Sequence, residues 1–154
     1  MRLLGVLVGS LASSNVACTP AAAAPPSPAM APRPLVERAV GEVFNAGQYD
    51  AVRRYFEPGF AEAEEAFARA IRGAFPDLHV ALDRVVSEGD WVAIHWTATG
   101  THQGDFAGVA ATGRAARWSG AWFWRVVDGR IVDGKELNVW DRQGLMAQLT
   151  RSER

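Results

Sequence analysis

The chain has 154 residues, six of them Trp and one Cys, with 16 basic against 17 acidic side chains and a net charge of -1. That length fits one small domain and excludes a multidomain enzyme, since compact domains run to roughly 100–200 residues. The charge balance lacks the positive excess that draws phosphate backbones, so no nucleic-acid partner is expected; one cysteine closes no internal disulfide, and 49% apolar with 21% charged residues is ordinary globular composition.

Residues 1–18 run from one Arg through Leu3, Leu4, Val6, Leu7, Val8, Leu11 and Ala12 to a polar break and Val16-Ala17-Cys18, which is the build of an export signal. The apolar core is shorter than the ~20 residues that span a bilayer, so removal after export is expected rather than a permanent helix. Cys18 behind two small residues resembles the lipobox of bacterial lipoproteins, in which the cysteine is lipidated and anchors the chain to the membrane. Asn15 stands where that motif usually carries Leu, and a plainly cleaved or uncleaved leader with an idle Cys18 thiol is the alternative. Residues 19–34 hold six of the eight prolines and read as a semi-stiff extended linker. The fold is expected over 35–150, with 151–154 as a tail; from Leu35 onward the charges are 14 basic and 17 acidic.

Val36, Val40, Val43 and Phe44 sit at helical spacing, and Gly47 follows where a left-handed residue would stop the turn. Asp50 can cap a short second helix carrying Val52, Tyr55 and Phe56, ended by Pro58. The third helix has Ala63, Phe67, Ala70, Ile71, Ala74 and Phe75 on one stripe, with Glu62, Glu64, Glu65, Arg69 and Arg72 over the rest, until Pro76 breaks it. The period then changes to two. Leu78, Val80 and Leu82 alternate with polar or small residues, Glu88-Gly89-Asp90 turns the chain, and Val92, Ile94, Trp96 and Ala98 alternate in the partner strand. A Gly-rich loop over 101–113 precedes a long strand over 116–127. Asp128-Gly129 is a strong hairpin signal, the returning strand covers 130–140, and a short helix carries Leu145, Met146 and Leu149. The order makes an α+β domain with the helices on one face of a curled antiparallel sheet.

If Asp128-Gly129 is a two-residue turn, Trp124 faces Asp133, Trp122 faces Lys135, Trp118 faces Val139 and Ala116 faces Asp141. One face then carries three tryptophans and Asp141; the other carries Arg125, with Glu136 as an ion-pair partner. A single bulge would exchange the faces beyond it.

Seven pieces in this order, Ala74-Phe75-Pro76-Asp77-Leu78, Glu88-Gly89-Asp90, Trp96-Thr97-Ala98-Thr99-Gly100-Thr101-His102-Gln103-Gly104, Thr112-Gly113-Arg114, Trp118-Ser119-Gly120, Asp128-Gly129-Arg130-Ile131-Val132 and Trp140-Asp141-Arg142-Gln143-Gly144-Leu145, resemble the SnoaL-like polyketide cyclase, or ester cyclase, family. The resemblance covers Leu35 to Leu149. It implies the cone-shaped fold shared with nuclear transport factor two and ketosteroid isomerase, in which a bent sheet encloses an apolar pocket. It also implies closure of a ring on a polyketide ester by intramolecular aldol addition, without metal or cofactor. The stretch Glu57-Pro58-Gly59-Phe60 is shorter than the segment the family usually carries there.

Aldol closure needs a group that takes and returns a proton near neutrality. A carboxylate beside indole rings loses hydration and is suited to that. Asp141 is such a residue if the register holds, and it matches the aspartate of the family's Trp-Asp motif; its other reading is as the cap of the last helix. His102, at a strand end, either hydrogen-bonds a substrate carbonyl or binds loop backbone. Trp96, Trp118, Trp122 and Trp124 on the sheet, with Phe67 and Ile71 on the third helix, would line the pocket for a flat hydrophobic small molecule, or simply fill the core. His79, His95 and His102 show no metal spacing. Two functions stay open: a cofactor-independent cyclase, and an exported lipoprotein that binds a ligand without chemistry. The outer sheet face is where a second copy would pair in a homodimer.

Overall fold

The computed structural model describes residues 30–134 and 137–151. The leader, Cys18, most of the linker, Lys135, Glu136 and the last three residues lie outside the described residues.

Helical structure begins earlier than the proline pattern suggests. Helix α1 is Pro32–Ala39 and continues as a π-helical segment over Val40–Asn45. Pro32 and Pro34 fall in the first turn, where the amide hydrogens they lack would have had no intrahelical acceptor. The linker boundary therefore moves back from residue 34, and Met30 already packs against the core. Gly47, with φ +66°, ends this segment in the left-handed conformation. A 3-10 turn over Tyr49–Ala51 leads into α2, Val52–Tyr55, and Asp50 makes no side-chain cap. Pro58 does not end that helix; it opens α3, Pro58–Ala74.

The buried face of α3 is Phe60, Ala61, Glu64, Ala68, Ile71 and Ala74. This stripe is rotated from the expected one, so Glu64 turns inward and Phe67 stands 37% exposed. Alanines at 61, 63, 66, 68 and 70 fit either phase equally well. The choice falls to the large rings of Phe60 and Phe56, which meet edge-on at 5.2 Å.

The open sheet is antiparallel: β1 His79–Glu88, β2 Trp91–Thr101, β3 Ala115–Val127 and β4 Arg130–Asp133 lie in that order, and β5 Val139–Trp140 also pairs with β3. The helices cover the face built by Val92, Ile94, Trp96 and Ala98 of β2 and Ala116, Trp118, Trp122 and Trp124 of β3, all buried. The register sets Trp96 against Gly120, Ala98 against Trp118 and Ile94 against Trp122. The outer edge of β1 is closed by side chains. Asn45 donates its amide to Val80 O at 3.0 Å and accepts Val80 N–H at 2.7 Å, while Arg33 donates to Val85 O at 3.3 Å. Arg72 ties the junction together by donating to the carbonyls of Phe44, Asn45, Pro76 and Leu78 at 3.0–3.2 Å.

The Asp128-Gly129 turn forms as expected, with φ +49° and +73°. The return strand does not continue unbroken. Val127 faces Arg130 and Val126 faces Ile131, but Arg125 faces Asp133, and by β5 Gly120 faces Trp140 and Ala121 faces Val139. The expected facing of Trp124 with Asp133, Trp118 with Val139 and Ala116 with Asp141 is therefore corrected. One extra residue at Val132, between the pairings of Ile131 and Asp133, exchanges the faces beyond it, and the further shift of two by β5 keeps that exchange. Trp140 joins the tryptophan face, and Asp141 leaves it. Helix α4, Arg142–Thr150, closes the chain through buried Leu145 and Leu149.

Candidate binding and active site

Strand alternation and a helix stripe bring five of the six proposed lining residues together. Trp96, Trp118, Trp122, Phe67 and Ile71 border one apolar crevice, joined by Phe44 at the end of the π-helical segment. Trp124 does not reach it; fully buried, it stacks on Trp122 at 4.9 Å and meets Phe56 edge-on at 5.4 Å. Phe44 stacks on Trp122 at 5.3 Å and takes the Phe67 ring edge-on at 6.2 Å. The crevice measures about 20 Å³, room for roughly one water and far below the ~300 Å³ of a small-molecule pocket. The rings fill the interior, and a ligand enters only by displacing some of them.

His102 is fully buried. The Thr112 amide donates to its Nδ1 at 3.3 Å, with the Thr112 hydroxyl at 3.1 Å. Nδ1 is therefore an acceptor, and a neutral ring carries its proton on Nε2. Nε2 is buried with no hydrogen-bond partner. The ring lies 5.3 Å from Phe75, which lies 4.9 Å from Trp118, so His102 stands one aromatic layer from the crevice. Beside it Asp77 accepts the Thr101 amide at 2.6 Å and the Thr101 hydroxyl at 2.7 Å. Those bonds hold the Asp77 carboxyl below its ordinary range, the backbone one most.

Asp141 is exposed and caps α4, accepting Gly144 N–H on Oδ1 at 2.7 Å, while its own N–H donates to Ser119 O at 2.9 Å. The desolvation that would suit it to proton transfer is not present at this position. Because Asn caps about as well as Asp, Asp141→Asn should leave urea unfolding within a few tenths of a kcal/mol, whereas Asp141→Ala should cost about 1 kcal/mol.

Two interior polar groups had no sequence signal pointing to them. Glu64 is 8% exposed on the core stripe of α3, one turn before Phe67 and two before Ile71, and it is engaged with a neighbour of its own. Asn138 shares the parity of Trp140, and its Oδ1 is buried without a partner. The one-residue register change at Val132 was the signal needed for Asn138. On the outer face His95 Nδ1 and the Thr97 hydroxyl both meet Asp83 Oδ2, at 3.1 and 2.7 Å. Among the described residues no three His, Cys, Asp or Glu side chains gather as metal ligands.

The sequence model of the SnoaL-like polyketide cyclase family matches residues 34–149. The chain belongs to that family. It is 32% identical over 117 residues to the aklanonic acid methyl ester cyclase DnrD of Streptomyces peucetius, covering 66% of this chain and 80% of the relative. It is 30% identical over 122 residues to the aklanonic acid methyl ester cyclase DauD of Streptomyces sp. strain C5, covering 70% and 76%. Among solved structures, a SnoaL-like protein of Jannaschia sp. CCS1 superposes with a TM-score of 0.70 at 23% identity, over 85% of this chain and all of that one. TsrD of Streptomyces laurentii gives 0.70 at 23% identity, over 77% and 93%. These two show the fold.

Proposed function

We propose that this SnoaL-like domain closes a ring on a flat, polyketide-like ester by intramolecular aldol addition. The likeness to two aklanonic acid methyl ester cyclases over most of their length carries the reading, and the aromatic interior agrees with it. The base removes the acidic proton between two carbonyls, the enolate carbon bonds to a ketone carbon, and the resulting alkoxide takes a proton back. Substrate and product are isomers, so nothing else is consumed. Asp141 is occupied as a cap, and the proposed proton transfers fall to interior groups that a ligand reaches only by displacing rings: Glu64, on the α3 stripe that also carries Ile71 of the crevice, as the carboxylate base, and His102, which offers its Nε2–H to the developing oxyanion once the Phe75 ring between it and the crevice moves. Aklanonic acid methyl ester incubated with the protein should convert to a cyclised isomer resolved by chromatography, and Asp141→Asn should keep turnover within about twofold. No conversion by the wild type would end the ring-closing reading. A large loss in folded Asp141→Asn would return the acid/base role to Asp141.

A second reading, an exported ligand-binding lipoprotein, is favoured by the leader-like residues 1–18 and by Asp141 serving as a cap. It predicts lipid on Cys18 and membrane fractionation in the native host, checked by the intact mass of the mature chain. For self-association the outer sheet face is the natural surface, since Val86, Trp91, Phe123, Leu137 and Val139 are all exposed large apolar side chains. Val86 and Phe123 both face Ala93 from the flanking strands.

A further inference from the structure

The crevice is bordered by hydrocarbon and indole, and one of its indoles carries an unusual polar atom. Trp96 is 4% exposed, and its Nε1–H is buried with no hydrogen-bond partner. An indole nitrogen only donates. Filling this space would have been cheaper with Phe, because a donor left unpaired in the interior is destabilising.

The ring is also held in place. It lies over Gly120, where a Cβ would collide with Trp96 Cζ2, the Val139 carbonyl and Trp140 Cβ. The Trp122 ring packs against that of Trp96, the centroids 4.8 Å apart. The donor is therefore oriented before any ligand arrives, and side chains around it offer no competing acceptor among those bordering the crevice.

We propose that Trp96 Nε1–H reads a carbonyl oxygen on the ligand, so that the interior selects flat aromatic molecules bearing a ring ketone or quinone over the corresponding hydrocarbons. This rests on the crevice being the ligand site of the ring-closing reading and adds the group that the site recognises. A hydrogen-bonding site discriminates against a ligand lacking the matching group because its own polar atom is then left unpaired. Access is past Phe67, the one exposed side chain on the crevice border.

The test is a pair of soluble probes that differ only in the carbonyls, anthraquinone-2-sulfonate and anthracene-2-sulfonate, titrated by calorimetry. The wild type should prefer the quinone by roughly 10-fold, the worth of one net hydrogen bond. Trp96→Phe should bind both probes about equally, through loss of quinone affinity alone. If the closed crevice admits neither probe, Phe67→Ala supplies the opened background, and Trp96→Phe is compared within it. An unchanged quinone preference in Trp96→Phe, or no binding of either probe even to Phe67→Ala, overturns the proposal. Should Trp96→Phe not fold, Gly120→Ala displaces the same ring and should erase the same preference. Conversion of aklanonic acid methyl ester with an unchanged preference would sink this inference and leave ring closure standing. A preference lost in Trp96→Phe without any conversion would do the reverse.

Discussion

Turnover of the ester should fall by about 10²- to 10⁴-fold in Glu64→Gln, the range expected when a general base is removed. Gln keeps the length and hydrogen-bonding reach of Glu and loses only the titratable group. The side chain is 8% exposed on the helix face that points at the sheet, and it is already engaged with a neighbour, so loss of stability has to be separated from loss of chemistry. Three measurements do this. Affinity for anthraquinone-2-sulfonate should stay unchanged. The KM for the ester should stay near the wild-type value while kcat falls. Glu64→Asp, which retains a carboxyl but draws it back by one methylene, should recover part of the rate. A melting temperature that drops while the folded fraction turns over at the wild-type rate would make Glu64 a structural residue.

Gly134→Ala should be the most damaging small substitution in the sheet, at roughly 3–5 kcal/mol from backbone strain and overpacking together. Gly134 sits at φ +117°, and a Cβ there would fall on the Phe123 carbonyl oxygen and its carbon. Neither neighbour is a flexible side-chain end, so the strand itself would have to move. Gly89 is the control: its φ is +54°, but nothing lies within 4 Å of the added carbon, so Gly89→Ala should cost only about 1 kcal/mol. Equal melting temperatures for the two variants would mean that the strand yields where it is drawn as rigid.

The bulge two residues before that glycine explains why the fold was legible and the site was not. Helix α3, the alternation of β2 and β3 and the Asp128-Gly129 turn follow from periodicity and turn chemistry, which depend on neighbours in sequence. The facing of Asp141 depended on every residue between the turn and β5 keeping step. The extra residue at Val132, between the Val126–Ile131 and Arg125–Asp133 pairs, exchanges Asp141 for Trp140 and Asn138, and the further shift of two by β5 leaves that exchange in place. On α3 the signal was degenerate instead, because alanines at every second or third position allow two phases. The one that forms trades an exposed glutamate for an exposed phenylalanine, the less favourable choice for an isolated helix, and only packing against Phe56 and the sheet selects it.

The closed edge of β1 bears on how this protein behaves in a crowd. An outermost strand with free amides and carbonyls is a template on which an unfolded or foreign chain can grow. Here the Asn45 carboxamide offers Val80 the donor and acceptor that a neighbouring strand would have offered, and Arg33 occupies Val85 O farther along. Growth by strand addition from this rim is blunted at both points, which disfavours fibre-like stacking of copies along it.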